Sequence, residues 1–213
     1  MNKIIIVVLL IFILAFVGYF YILRPIVTEE DLTEIATHRE PLQIPLIDHS
    51  NFHINRKDLE VVITPVAKYE ISAIILSKKK YATNWASIIS PFDLALGWAD
   101  VSKPENYNHI KFKQILRWYQ YTYNSQCAID HHYISQHSSN HHIIPANDNV
   151  KNAIQAAKKR EKITLEGYLV NVSGKYKNGK VSWRTSQTRT DTGNGSCEIM
   201  YVTSVKLGTD IYK

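Results

Sequence analysis

Cysteine is scarce in this chain: Cys127 and Cys197 are the only two among 213 residues. Neither lies directly after the apolar run near the amino terminus, so a lipid anchor on cysteine there is not expected. A chain of this length buries a core that stands without metal or disulfide staples. Long basic runs are missing too. The formal charge of +6 comes from Lys and Arg placed singly or in short clusters such as Lys78-Lys79-Lys80 and Lys158-Lys159-Arg160. Such a balance speaks to solubility before function, so nucleic acid is not the partner expected. No internal repeat is visible. What is abundant is ordinary for a folded protein, with 45 % hydrophobic and 21 % charged residues, and the 13 tyrosines favour β structure.

The longest uncharged run is "IIIVVLLIFILAFVGYFYIL", residues 4 to 23. About 20 helical residues at 1.5 Å each cross a hydrocarbon layer of roughly 30 Å, so the run predicts a transmembrane helix. It exceeds the apolar length of a cleavable signal peptide, and Phe16, Val17 and Gly18 make no small-x-small site, which predicts an uncleaved signal anchor over 1–24. Tyr19 and Tyr21 fit an interfacial belt. Lys3 and the amino group before the run outweigh Arg24 after it. That asymmetry predicts an amino terminus inside and a body in the extracytoplasmic space. In that oxidising space Cys127 and Cys197 are candidates for a disulfide, the alternative being two unrelated buried thiols.

Residues 25–57 mix proline, charge and short apolar pieces and read as a tether, with a short helix over 28–37. Residues 58–213 read as one extracytoplasmic α+β domain, with a subdivision near 140–150. "LEVVIT" and "VAKYEISAIIL" alternate as strands. "SIISPFDLALGWADV" opens like a capped helix at Ser90, Pro91 and Asp93. A second helix is expected from Tyr107 to Tyr123, with Ile110, Ile115, Leu116 and Tyr119 on one face. A third, capped by Asp148, runs to about Lys159. "EKITLEGYLVNVSG", Asn178-Gly179 and the run from Glu198 to Lys206 predict strands and a hairpin. Together they point to a curved sheet or a small barrel of the OB or SH3 kind.

Five of the nine histidines, His131, His132, His137, His141 and His142, lie in "CAIDHHYISQHSSNHHIIP". Imidazole suits zinc and copper, and His132, His137 and His141 are the metal candidates. The spacing favours a polar segment instead, because His137 and His141 enclose "SSN", which has no carboxylate. No cofactor is expected. The string "RWYQYTY" offers Trp118, Tyr119 and Tyr121 as a surface for a ligand or partner. Asp191-Thr192-Gly193 spells an aspartic-protease triplet, but only one such triplet exists and no apolar strand precedes it. Gly193, Asn194 and Gly195 read better as a reversal leading into the last strand.

A single anchor carrying a β-rich domain resembles the architecture of sortase transpeptidases. In that family a strand ends in a Cys paired with an upstream His and followed by an Arg. Cys197 with His141 or His142 imitates the first two, giving the candidate catalytic residues. "EIMYVTSVKLGTDIYK" supplies no Arg, and Arg184 and Arg189 precede the Cys. Taken together, "ISPFDLALGWADV", "SSNHHIIPAND", "ITLEGYLVNV" and "WRTSQTRTDTGNGSCEIMYV" are similar to a family of small bacterial single-pass membrane proteins without an assigned activity. That resemblance implies a bacterial envelope location, in the inner membrane with the amino terminus inside and the body in the periplasm or outside. The sequence therefore reads as a non-enzymatic interaction or assembly module with another envelope protein as partner. The alternative is a Cys- and His-dependent transpeptidase or hydrolase acting on envelope proteins or polymers.

Overall fold

The computed structural model describes residues 3–22, 24–188 and 196–213. The chain is mostly β, with 47 % of residues in strands and 21 % in helices, which corrects the α+β expectation. Helix α1 (Lys3–Ile22) is followed by β1 (Glu29–Glu30), β2 (Leu42–Pro45), β3 (Phe52–Arg56) and the long β4 (Leu59–Lys80). Next come α2 (Trp85–Ile89), β5 (Phe92–Gly97), a 3-10 turn (Ala99–Ser102), α3 (Pro104–Tyr107), β6 (Ile110–Ile115) and β7 (Trp118–Tyr123). The last part holds α4 (His131–Gln136), β8 (Ser138–Pro145), α5 (Asp148–Ala156), β9 (Lys162–Tyr176), β10 (Gly179–Trp183), β11 (Glu198–Leu207) and β12 (Asp210–Tyr212).

The transmembrane signal anchor expected over residues 4–23 is not supported: among the described residues no helix is long and apolar enough to cross a membrane. The side chains described without a break in α1 run from 5 to 16 and are all exposed. Tyr19 and Tyr21, read as an interfacial belt, lie outside the described side chains. The stretch 25–57, read as a tether, contributes β1, which pairs with β12, and β2 and β3, which both pair with β4.

Five strands close on themselves, since β4 pairs with β5, β5 with β8, β8 with β11, β11 with β9, and β9 again with β4. Closure removes the free edges that an open sheet would expose. Tyr69, Ile71, Ile75, Leu94, Ile143 and Leu165 fill the main core, joined by Val150, Ala153 and Ile154 of α5. Strand β4 serves two cores because its register shifts between Pro65 and Ala67. A bulge of one residue turns the alternating side chains to the other face. Before it Leu59, Val61 and Ile63 pack with Val172 and Ile199; beyond it Ala67, Tyr69 and Ile71 turn into the barrel. Helix α5 is capped at both ends. Asn147 accepts from the Val150 amide at 2.9 Å. The Lys78 ammonium, held below its usual range by burial, donates to the carbonyls of Ile154, Gln155 and Ala157.

Two expected helices are strands. β5 is buried at all six positions, and a strand covered on both faces shows an unbroken apolar run that periodicity does not separate from a helix. The expected helix over 107–123 is the β6–β7 hairpin. At Gly167, where β9 meets β11, an added Cβ would lie 2.0 Å from the Tyr201 carbonyl oxygen. Gly167→Ala is therefore expected to cost on the order of 3 kcal/mol of stability, read as a lowered urea midpoint at unchanged slope.

Candidate active site

The β6–β7 connection is two residues long, Leu116 and Arg117, with φ of 50° and 66°. A two-residue turn of this twist needs positive φ at both positions and favours Asn and Gly. Leu and Arg there carry backbone strain of about 1 kcal/mol or more each. The Arg117 contacts show what the strain secures. Its NH1 donates to Asp93 Oδ1 at 2.7 Å and its NH2 to the Ser90 carbonyl at 2.8 Å. The guanidinium lies over the rings of Tyr81, at 4.5 Å, and Trp183, at 5.3 Å. Burial lowers the Arg117 pKa while Asp93 opposes that shift.

Asp93 stands opposite His142 in the β5–β8 register, and its side chain is fully buried. His142 Nδ1 approaches the same Asp93 Oδ1 to 2.9 Å, close but without the alignment of a full hydrogen bond. A proton on Nδ1 leaves Nε2 as the basic atom. The imidazole also packs on Trp183, with ring centroids 4.5 Å apart. On the next strand, β11 runs parallel to β8 with Ile199 opposite His142. Cys197, two residues earlier, stands beside Asn140, whose Nδ2 reaches its Sγ at 3.8 Å. The Asn140 amide is oriented by Gln114, whose Nε2 donates to Asn140 Oδ1 at 2.6 Å. A buried carboxylate, an imidazole and a thiol thus lie on neighbouring segments: Asp93 on β5, His142 on β8 and Cys197 just before β11.

His142 and Cys197 open on a cleft of about 460 Å³ that Arg117, Arg184, Trp85 and Trp183 also line, with Asp93 buried behind His142. A second cleft of about 310 Å³ adjoins it and shares Trp118 and Cys197 with the first. Around Asp93, Ser90 Oγ, Asp93 Oδ2 and Arg117 Nε are buried with no hydrogen-bond partner among the described residues. Orphaned polar atoms are costly in a core and gather where a site has another use for them.

The disulfide expected between Cys127 and Cys197 does not form: no bond joins the two sulfurs. Cys127 belongs to the turn between β7 and α4, where its amide bonds the Asn124 carbonyl, whereas Cys197 sits beside β8. Of the two candidate histidines, only His142 shares the cleft with Cys197. His141 faces the barrel, its Nε2 3.2 Å from the Tyr69 hydroxyl, because neighbours on a strand point to opposite faces. The metal candidates are not brought together. His132 is exposed on α4, and His137 pairs with Glu40 at 3.2 Å and stacks on Tyr133. Among the described residues no group of three side chains is placed to hold a metal.

Trp118, Tyr119 and Tyr121 lie on β7 and line the second cleft. Tyr119 bonds Ser138 Oγ at 2.5 Å, and burial pushes its phenol up. Tyr121 meets His131 Nδ1 at 2.9 Å and is pushed up to about 12, chiefly by burial. The Asp191-Thr192-Gly193 triplet, Arg189, Asn194 and Gly195 lie outside the described residues. Asp93, Arg117, Asn140 and Trp183 were not singled out from sequence as site residues. The lone carboxylate inside "SPFDLALG" is the signal that marks Asp93, since a charge in a buried strand needs a partner. Comparison with family models, curated proteins and solved structures gives no match for this chain.

Proposed function

We propose that the chain is a thiol-dependent acyl-transfer enzyme or hydrolase in which Cys197 is the nucleophile, His142 the general base and Asp93 the group that orients the imidazole. The observation that carries this reading is that His142, backed by Asp93 opposite it on β5, and Cys197, just before β11, line the same cleft. His142 Nε2 takes the thiol proton, and the sulfur forms a bond to a substrate carbonyl carbon. The tetrahedral oxyanion collapses, the leaving group departs with the proton from His142, and a thioester remains on Cys197. Water or an amine then attacks that thioester and returns the proton to the sulfur through His142. Asn140 Nδ2, already directed at the sulfur, stabilises the thiolate and supplies a donor for the oxyanion.

Iodoacetamide alkylation of the folded protein, followed residue by residue with mass spectrometry, tests this. Cys197 should react at least about tenfold faster than Cys127 at pH near 6.5, with the difference vanishing in denaturant. Equal rates in the folded state would leave the cleft as a binding surface of a non-enzymatic module.

A further inference from the structure

We infer that the 460 Å³ cleft beside Cys197 takes an acyl donor carrying an anionic group, a carboxylate or phosphate, and that Arg184 is the residue that holds it. The inference rests on the proposed role of Cys197 for the acyl part of the substrate, while the anion preference stands on the cleft itself. Among the described residues that line the cleft, Arg117, Arg184 and His142 are basic and none is Asp or Glu. Arg117 is committed to Asp93 and the Ser90 carbonyl. Arg184, directly after β10, is exposed and has no ion-pair partner among the described residues. It is therefore the cation available to a ligand, and its planar fork matches a carboxylate or phosphate oxygen pair.

The walls strengthen the attraction. Trp183 and Trp85 meet edge to face at 6.0 Å, and Trp183 is held by His142 on one side and approached by Arg117. Low-dielectric aromatic walls focus the field of the cationic side chains into the cleft, which attracts anions. Substrate enters with its anionic end at Arg184, and the reacting carbonyl falls at Cys197.

Iodoacetate and iodoacetamide attack a thiolate by the same step, in which the sulfur bonds carbon and iodide leaves, and they differ in charge. The full chain carrying Cys127→Ser is treated with each reagent. An unassisted thiolate reacts more slowly with the anion. Cys197 is expected to react about tenfold faster with iodoacetate than with iodoacetamide, and the preference should shrink with added salt. Arg184→Met should reverse the preference, and Arg184→Lys should retain most of it. A preference for iodoacetamide in the unsubstituted cleft, or one for iodoacetate that survives Arg184→Met, overturns the anion site. That outcome leaves the nucleophile untouched, because the rate of Cys197 with the neutral reagent reports on it separately.

Discussion

Arg117→Met is expected to destabilise the folded protein by about 3–5 kcal/mol, the range found when one partner of a buried ion pair is removed. The cause is the group left behind. Asp93 is fully buried, and Arg117 supplies its strongest contact at 2.7 Å. Its second oxygen has no partner among the described residues, and the His142 imidazole 2.9 Å from the first lacks the alignment of a full hydrogen bond. Met keeps the apolar contact with Tyr81 and Trp183 and removes the charge. The double variant Arg117→Met/Asp93→Asn should be more stable than Arg117→Met alone, since an amide is cheaper to bury than an unpaired carboxylate. Urea unfolding of the four proteins measures the coupling. A loss under about 1 kcal/mol in Arg117→Met would mean that the Asp93 carboxylate does not depend on the guanidinium.

His142→Ala should slow acylation of Cys197 by p-nitrophenyl acetate by about 10²- to 10⁴-fold, the usual contribution of a positioned base. The residual rate would reflect the thiol beside Asn140. Asp93→Asn should slow it as well, by leaving the imidazole without its carboxylate, and its effect should not add to that of His142→Ala. His141→Ala gives the contrast. His141 lies inside the barrel against Tyr69, so its loss falls on stability and not on the reaction at Cys197. A comparable loss of acylation in His141→Ala and His142→Ala, in proteins of equal stability, would contradict the assignment.

Much of the barrel was legible because β4 and β9 alternate over long runs. Ile71, Ala73 and Ile75 on one strand and Ile163, Leu165 and Leu169 on the other line the same core. β5 was not, because burial on both faces erases the period. The β6–β7 hairpin was hidden for a different reason. Leu116 and Arg117 occupy a turn that favours Asn and Gly, so the local signal opposes the observed structure. The apolar spacing of Ile110, Ile115 and Tyr119 then imitates a helix. In α1 the apolar run does give a helix, Lys3–Ile22, while among the described residues no helix is long and apolar enough to cross a membrane.

The site was partly visible as residue types. Cys197 and the His141-His142 pair stood out, yet choosing between adjacent histidines requires knowing which face of β8 is outward. Strand register supplies that choice, and it is a long-range property of the sheet. The basic residue was sought after Cys197 in the chain. Arg117 instead comes from far upstream, carried to Asp93 by a hairpin turn. An isolated polar residue in an apolar strand and a strained turn with a charged side chain were the two local traces of the cluster.

The most direct measurement is the fate of Cys197 after brief exposure of the full chain to p-nitrophenyl acetate, quenched in acid and mapped by mass spectrometry. A nucleophilic Cys197 carries a single acetyl group as a thioester that hydroxylamine removes, and Cys197→Ser carries none at that position. Acetyl groups confined to lysines, with Cys197 unmodified in the folded protein, would contradict the assignment of Cys197 as the nucleophile.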